Sequence, residues 1–266
     1  MLSCLQTGER SELMAYRKYF TVSFDDGLEQ DKELLRLMRK YGIRGTFNLN
    51  SELFGTNSYI KYLGRYGLRS VAEIPAHPGL WKIAPARRIP ADEVRQVYEG
   101  MELATHGCFH KNLTSLTTNE LREELLQDRE NLRQYTDLPV VGHAYPSGQT
   151  SSEVERFLKE NGFLYARGVM SAGSKEKFRF PQDPLNFKPT CWHIEAKLEA
   201  LVDQFLAAEA SDGDLLFFLW GHGYELDFSS LRKLRTAYER IFDKLAQHDE
   251  IIKCTNAEAF SAVQSR

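Results

Sequence analysis

Short apolar runs alternate with amphipathic helical patterns along most of the chain, and this alternation constrains the fold more than any other feature. Runs of strand length occupy residues 20–24, 45–49, 101–105, 139–144, 163–166 and 214–220. Apolar side chains recur every three to four residues over residues 28–41, 117–135, 152–162, 194–206 and 231–245. Strands separated by helices pair in parallel, because each helix returns the chain to the same edge of the sheet. We therefore predict an α/β protein with a parallel sheet.

Local signals mark where some of these helices begin and end. Thr117-x-x-Glu120 and Ser152-x-x-Glu155 both have the spacing of a capping box. In this motif the side chain of the first residue accepts the backbone N–H of the fourth, and the side chain of the fourth accepts the backbone N–H of the first. Gly42 follows the first amphipathic segment, and glycine commonly ends a helix. Both capping boxes predict a helix start immediately after their first residue.

Two stretches, residues 55–90 and 168–189, fit neither the strand nor the helix pattern. Loops of this length inside a compact domain are usually functional or disordered. Because the sequence contains no repeat and no linker-like composition, we predict a single domain over residues 1–266. Residues 55–90, rich in Gly, Pro, Tyr and basic side chains, form a long insertion in that domain.

Charge and cysteine content exclude several classes of protein. The chain carries 34 basic and 37 acidic residues, a net charge of −3, so bulk positive charge for nucleic-acid binding is absent. No window approaches the roughly 18 apolar residues of a membrane span. The four cysteines form no C-x-x-C pair, which favours a reducing compartment. Since no signal-peptide pattern is visible, we expect a cytoplasmic protein, or a secreted or periplasmic one if a leader is missing.

Polar residues follow several of the predicted strands directly. Asp25 and Asp26, the only adjacent pair of aspartates, follow residues 20–24, and His106 and His110 follow residues 101–105. His222 follows the run at residues 214–220 after one glycine, Gly221. Because the carboxyl ends of parallel strands meet at one edge, we expect these side chains to lie close together.

One carboxylate and two imidazoles can bind a divalent metal ion and leave a coordination position open for water. A second aspartate could take a proton from that water, and a separate histidine could protonate a leaving group. Each signal is weak alone, because Asp-Asp-Gly is also a common turn and a single histidine is often structural. The combination at neighbouring strand ends favours a metal-dependent hydrolase.

The sequence resembles the polysaccharide deacetylase family, also called the NodB-homology or carbohydrate esterase family 4 deacetylases, over roughly residues 19–225. The segments VSFDDG and THGCFH resemble the family motifs T-F-D-D-G and H-[ST]-x-x-H, with Gly107 where Ser or Thr is usual. The resemblance implies a distorted (β/α) barrel of about seven parallel strands. It also implies that Asp25 is the general base.

The same resemblance assigns Asp26, His106 and His110 as ligands of one divalent metal ion. Zn²⁺ is the first expectation, and Co²⁺, Ni²⁺ or Mn²⁺ are alternatives, since such sites accept several metals by geometry and availability. Leu219-Trp-Gly-His222 matches a further family motif and implies that His222 is the general acid.

The third motif, usually R-x-P-[YFW], is only partly present. Aligned on Pro146, it begins with Ala144, which replaces the arginine that braces the catalytic aspartate in the family. His143, Arg167 and Arg179 are the candidates to replace that arginine. The backbone N–H of Ser147 takes the place of the oxyanion donor, a role that does not depend on the side chain.

The implied activity is removal of N- or O-acetyl groups from a carbohydrate. Four residues near the motifs are candidates for contact with the substrate: Tyr145, Pro146, Trp192 and Trp220. Basic residues of the insertion could meet an acidic glycan. Two alternatives remain: a metal-dependent amidase acting on a small non-sugar C–N bond, which the missing arginine favours, and an inactive carbohydrate-binding relative. The sequence makes no prediction about the oligomeric state.

Overall fold

The computed structural model describes residues 16–63, 81–169, 177–195, 197–227 and 232–265. Within them, parallel strands form the centre of the molecule and helices follow most of the strands. The strands are β1 (Lys18–Asp25), β2 (Thr46–Leu49), β3 (Asn57–Leu63), β4 (Trp81–Arg87), β5 (Glu102–Thr105), β6 (Gly142–Ala144), β7 (Tyr165–Arg167), β8 (Cys191–Trp192), β9 (Leu215–His222) and β10 (Ile251–Lys253). The helices are α1 (Asp31–Lys40), α2 (Ala91–Val97), α3 (Thr118–Leu121), α4 (Asp128–Arg133), α5 (Ser152–Glu160), α6 (Leu198–Ala207), α7 (Arg232–Ala246) and α8 (Asn256–Gln264).

The main sheet confirms the predicted parallel architecture. Seven strands follow one another in the order β7-β6-β5-β2-β1-β9-β8, and β10 pairs with the first residues of β1. Every pairing in this sheet is parallel. The sheet curls into a distorted, incomplete (β/α) barrel, as the family resemblance implied. The segment around Phe187 hydrogen-bonds to β7 and leads into β8, which brings the two ends of the sheet together.

The central strands are buried on both faces. All eight residues of β1 are buried, and so are the first seven of β9. Strands covered on both sides carry nearly continuous apolar runs, because neither face contacts water. Phe20, Phe24 and Phe217 lie in the largest hydrophobic cluster, which also includes the inner face of α1. The core therefore holds the carboxyl ends of β1 and β9 in a fixed position.

Helix starts differ from the sequence prediction at two places. Helix α1 begins at Asp31, not at residue 28, because the N–H of Leu28 binds the Asp31 carboxylate and Leu28 pairs with Arg88. The Thr117 capping box is confirmed. The second box is wrong by one position, since the Ser151 side chain caps α5 by accepting from Val154 N–H. Local spacing located α1 and α5, while contacts with neighbouring residues determined where each helix begins.

The predicted insertion contains an antiparallel hairpin, β3–β4, whose residues 64–80 lie outside the described part of the chain. The end of β4 attaches to the loop that follows β1. Glu29 N–H donates to Arg87 O at 2.8 Å, and Ile89 N–H donates to Gly27 O at 2.9 Å. Part of the insertion therefore joins the Asp-Asp-Gly turn, which the sequence did not predict.

Two further observations bear on the sequence predictions. None of the described helices is both long and apolar enough to span a membrane. Three of the four cysteines, Cys108, Cys191 and Cys254, are free thiols in the interior, and Cys4 lies outside the described residues.

Candidate active site

The strand register brings the predicted acid and base together. Asp25, the last residue of β1, lies directly beside His222 of β9 on one side and Asn48 of β2 on the other. His106 follows the last residue of β5. The candidate residues therefore meet at the carboxyl end of the sheet, as expected from the parallel arrangement.

Asp25 is 2% exposed, and its two oxygens have different neighbours. Its Oδ1 accepts hydrogen bonds from Asn48 Nδ2 at 2.8 Å and from the Arg167 guanidinium. Its Oδ2 lies 3.9 Å from the Nε2 atoms of both His106 and His222. One oxygen is thus fixed by donors, and the other faces the two histidines.

Arg167 occupies the role for which the sequence offered three candidates. Its side chain is fully buried, and it also donates from Nε to Ser23 Oγ at 3.2 Å. The other two candidates lie elsewhere: His143 pairs with Thr105, and Arg179 forms an exposed ion pair with Asp212. Since Arg167 is the register partner of Ala144 on the adjacent strand, the arginine lies one strand away from its usual motif position.

Asp26, His106 and His110 form the predicted three-ligand set. One potential ligand atom from each lies within 4.8 Å of the others, and Asp26 Oδ1 is 3.9 Å from the Nε2 atoms of both histidines. Asp26 Oδ1 is also buried without a hydrogen-bond partner among the described residues. Because metal–ligand bonds are about 2.0–2.2 Å long, ligand atoms at this separation can share one ion. The residues therefore fit a divalent metal.

Hydrogen bonding and burial prepare these groups for metal binding. His106 Nδ1 lies 2.7 Å from Ala144 O, so donation to that carbonyl leaves the Nε2 lone pair directed at the site. Burial lowers the pKa of His106 to about 4, which keeps its imidazole neutral at physiological pH. Burial would raise the pKa of Asp26, but the nearby His222, His106, His110 and Arg88 hold it below its usual range.

The loop that carries both histidine ligands is fixed by carboxylates that the sequence analysis missed. Between α3 and α4 the chain forms a π-helix, Arg122–Gln127. From it, the buried Glu124 accepts the N–H of Phe109 at 3.1 Å, and Asp128 at the start of α4 accepts the N–H of His106 at 3.0 Å. A Cβ at Gly107 would lie 2.8 Å from Glu124 Oε2. Gly107, where the family has Ser or Thr, therefore leaves room for this carboxylate.

His222 is held by Glu225, three residues further along the chain. Glu225 accepts the His222 N–H at 2.8 Å, and its Oε1 lies 3.3 Å from His222 Nδ1. Although burial lowers the pKa of His222, the negative charge of Glu225 raises it to about 9. The Glu225 carboxylate also pairs with the buried His193, and the two histidines hold its pKa at about 2 against the effect of burial. A carboxylate three residues after a strand-end histidine is a local signal that could have identified this pair.

Ser147 lies in a tight turn after β6, with a left-handed backbone (φ 56°) and an exposed side chain. The hydrogen bonds of that turn are donated by Gly148 and Gln149. Two predicted substrate contacts in the same motif are buried: Pro146 contributes to the interior, and Tyr145 is 1% exposed and donates its hydroxyl to Leu185 O. Their side chains therefore pack the barrel and expose little surface, and their contact with a substrate stays a prediction.

Trp192 and Trp220 stack on each other with ring centroids 5.7 Å apart. Trp220 is 5% exposed, lies over the Arg167 guanidinium and contacts the His222 ring edge-on. Trp192 is only partly buried. Trp220 therefore packs against His222 and Arg167, while Trp192 retains accessible surface. His193, which follows Trp192, is fully buried between Glu225 and Tyr238 and does not line a groove.

Arg88, from the end of the hairpin, is a further residue that sequence reasoning did not place in the site. Its Nη2 lies 3.6 Å from Asp26 Oδ1, and its side chain is 11% exposed. No local pattern predicts this contact, because Arg88 is one of several basic residues in the insertion.

Comparison with known proteins identifies the family of this chain. The sequence profile of the family described as polysaccharide deacetylase matches residues 15–166, which is more than half of the chain. The chain belongs to the polysaccharide deacetylase family. No curated protein sequence matches this chain.

One solved structure with a TM-score above 0.5 shares the fold, and others are similar to this chain at lower scores. A protein from Mycobacterium smegmatis assigned to this family is 17% identical, with a TM-score of 0.57 and coverage of 94% of this chain and 91% of the other. A family 4 carbohydrate esterase from Streptomyces lividans, solved with acetate, is 16% identical (TM-score 0.48; 88% and 90% covered). A family 4 pseudoenzyme from Bacillus anthracis is 14% identical (TM-score 0.48; 92% and 66% covered). The chain spans 45% of the length of two further deacetylase structures, from Bacillus anthracis and Bacillus cereus.

Proposed function

We propose that this polysaccharide deacetylase is an active, metal-dependent hydrolase that removes N- or O-acetyl groups from a carbohydrate. One observation carries the proposal: a three-ligand set of Asp26, His106 and His110 lies beside a separate carboxylate and a separate histidine. A module that only binds sugars needs neither Asp25 nor His222 in this arrangement. Asp25 is buried, His222 is partly buried, and each is held by an oppositely charged partner, which favours catalysis over simple binding.

In this mechanism Asp25 acts as the general base. A divalent ion held by the three ligands would polarise the acetyl carbonyl and increase the acidity of water. Asp25 Oδ2 takes the proton from the attacking water, while Arg167 and Asn48 fix Oδ1 and orient the carboxylate. Asp25 therefore accepts the proton on Oδ2, the oxygen that faces His106 and His222.

His222 acts as the general acid. Its Nε2 lies 3.9 Å from Asp25 Oδ2, and Glu225 keeps its imidazole protonated at neutral pH. A proton from Nε2 passes to the departing amine or alcohol. The exposed Ser147 turn supplies its backbone N–H to the oxygen that becomes negatively charged during attack.

The sugar deacetylase is favoured over the small-amide amidase. The amidase gained support from the missing motif arginine, and Arg167 now supplies a guanidinium to the same aspartate. The partly accessible Trp192 offers an aromatic face of the kind that packs against sugar rings.

Two variants test the proposal directly. Asp25→Asn should lower kcat for acetate release by at least about a hundredfold, the scale of general base catalysis, and leave metal content near one ion per chain. Asp26→Asn should lower both metal content and activity. Asp212→Asn, at an exposed ion pair, is the matched control and should change neither.

Acetate release is measured on N-acetylated oligosaccharides and on simple amides, with metal content determined by elemental analysis. Turnover of the amides alone would replace the deacetylase with the amidase. Failure to retain any divalent ion after reconstitution would exclude both enzymes. Loss of metal from Asp25→Asn instead of Asp26→Asn would exchange the roles of the two aspartates.

A further inference from the structure

Arg88 is placed beside the site by the backbone of the insertion. Leu28 and Arg88 form an antiparallel bridge, and Arg88 N–H donates to Thr56 O at 3.0 Å. The hydrogen bonds of Glu29 to Arg87 O and of Ile89 to Gly27 O fix the residues on either side. The Arg88 backbone is therefore built into the Asp-Asp-Gly turn.

The Arg88 guanidinium is poorly satisfied in this position. Its side chain is nearly nine-tenths buried, and Nε is buried without an acceptor among the described residues. Its ion pair with Asp26 Oδ1, at 3.6 Å, is longer than a hydrogen bond. Arginine carries five N–H donors and remains charged at any physiological pH. Leaving the Nε donor buried and unpaired costs free energy, so an acceptor from outside the described residues would stabilise the site.

Asp26 cannot be the complete partner of Arg88. The same Oδ1 atom belongs to the three-ligand set with His106 and His110. A divalent ion bound there would add two positive charges close to Arg88, while Arg167 already balances Asp25. The site would then carry excess positive charge on the hairpin side, although a neutral acetylated sugar provides no negative charge in its ground state.

We propose that Arg88 forms a subsite for an anionic substituent of the substrate, a carboxylate or a phosphate on the saccharide that carries the acetyl group. This inference rests on the proposed deacetylase function and names its substrate class. Arginine suits the role because its planar guanidinium binds carboxylate and phosphate oxygens with two parallel hydrogen bonds. The side chain keeps 11% of its surface exposed, so a ligand can reach it.

The neighbouring Arg87 provides a matched control. It belongs to the same strand end and carries the same charge, but its side chain is exposed and no ion pair with the site residues is found for it among the described residues. Long-range attraction of an anionic substrate would depend on both arginines. A subsite depends on Arg88 alone.

The test compares holoenzyme variants on matched oligosaccharides of N-acetylglucosamine that are neutral, that carry a lactyl carboxylate, or that carry a 6-phosphate. In the wild type, at least one anionic series should have a KM at least tenfold below that of the neutral series. Arg88→Ala should raise the ratio of the anionic to the neutral KM, both measured on the same variant, at least tenfold. Arg88→Lys should fall between them, and Arg87→Ala should match the wild type. The favoured anionic series identifies carboxylate or phosphate as the ligand.

Binding measured by calorimetry in the Asp25→Asn background separates this inference from the proposed function. The dissociation constants should follow the same pattern even if the chain hydrolyses none of the saccharides. Equal binding of neutral and anionic saccharides by the wild type would overturn the subsite. So would an Arg88→Ala variant that loses kcat equally on all three series, because Arg88 would then act on the metal site or the reaction itself.

Discussion

At the level of single residues, the proposed base and acid each have a buried partner of opposite charge. Arg167 pairs with Asp25, and Glu225 pairs with His222. Neither partner faces the substrate directly in the proposed mechanism, so both are positioning residues. Their burial removes the competition of water and strengthens each interaction.

Arg167→Ala should lower kcat by at least about a hundredfold, because Asp25 would lose its charged donor. Breaking a buried pair also costs about 3–5 kcal/mol of stability, so thermal unfolding is measured alongside kinetics. Arg167→Lys keeps the charge without the second bond to Ser23 and should retain more stability. Arg179→Ala, at an exposed pair, is the control.

Restoring the arginine to its usual strand tests whether position or only charge matters. Ala144 and Arg167 are register partners on parallel strands, so their side chains share a face of the sheet. The double variant Ala144→Arg with Arg167→Ala should recover part of the lost kcat. A double variant no better than Arg167→Ala would show that only the β7 position can reach Asp25.

Glu225 should control the alkaline limb of the pH profile. A general acid must be protonated, so kcat/KM should fall as pH rises through the His222 pKa, which Glu225 raises to about 9. Glu225→Gln removes this negative charge and should move the limb down by about two pH units, towards the ordinary histidine pKa of about 6.5. The profile of kcat/KM from pH 5 to 10 measures the shift.

The free energy of unfolding should also fall as pH rises through the His222 pKa. A histidine whose folded pKa is raised contributes stability that is complete below about pH 6.5 and is lost as pH rises towards 9.

Glu250→Gln, which removes the carboxylate beside the exposed His248, is the control for Glu225→Gln and should leave the kinetic profile unchanged. An unchanged profile in Glu225→Gln would remove Glu225 from the proposed mechanism.

At the level of secondary-structure elements, the helical segment after β5 acts as a support for the metal-binding loop. A π-helix adds an extra residue to the turn and is often found at functional sites. Here its Glu124, with Asp128 one turn further on, accepts backbone N–H groups on both sides of Gly107. The spacing of His106 and His110 is therefore maintained from outside the loop.

Gly107→Ser, which restores the residue type usual in the family, should weaken metal binding by about 10–100-fold, the effect of losing a supporting contact at a metal site. The new Cβ would lie 2.8 Å from Glu124 Oε2 and displace it. Chelator competition measures the metal affinity. Gly100→Ser has the same left-handed strain, with φ 80° and no atom within 4 Å of a Cβ, so it should lose stability without losing metal.

The double variant Gly107→Ser with Glu124→Ala tests whether displacement of the Glu124 carboxylate causes the loss of metal affinity. If displacement of Glu124 causes the loss, the double variant should bind metal no more weakly than Gly107→Ser. Equal loss of metal from Gly107→Ser and Gly100→Ser would instead assign the effect to backbone strain.

At the level of the whole molecule, the curled parallel sheet converts positions far apart in sequence into one site. Asp25 and Arg167 are 142 residues apart, and their contact depends on the register of the intervening strands and on the closure of the sheet. The hairpin reaches the same site from outside the sheet. These contacts depend on how the sheet curls, so they appear only when the elements are assembled.

The family resemblance implied the barrel and the roles of its site residues. The patterns of the sequence itself determined the parallel α/β architecture, the strand ends and the placement of Asp25, Asp26, His106, His110 and His222 at those ends. These could be predicted because apolar periodicity is local and because each polar group follows its strand within a few residues. The sequence placed Tyr145 and Pro146 at the substrate, since spacing cannot distinguish a buried side chain from an accessible one. Only the tertiary structure chose Arg167 over His143 and Arg179 and brought Arg88 to Asp26, because long-range contacts depend on strand register and packing, which no local pattern encodes.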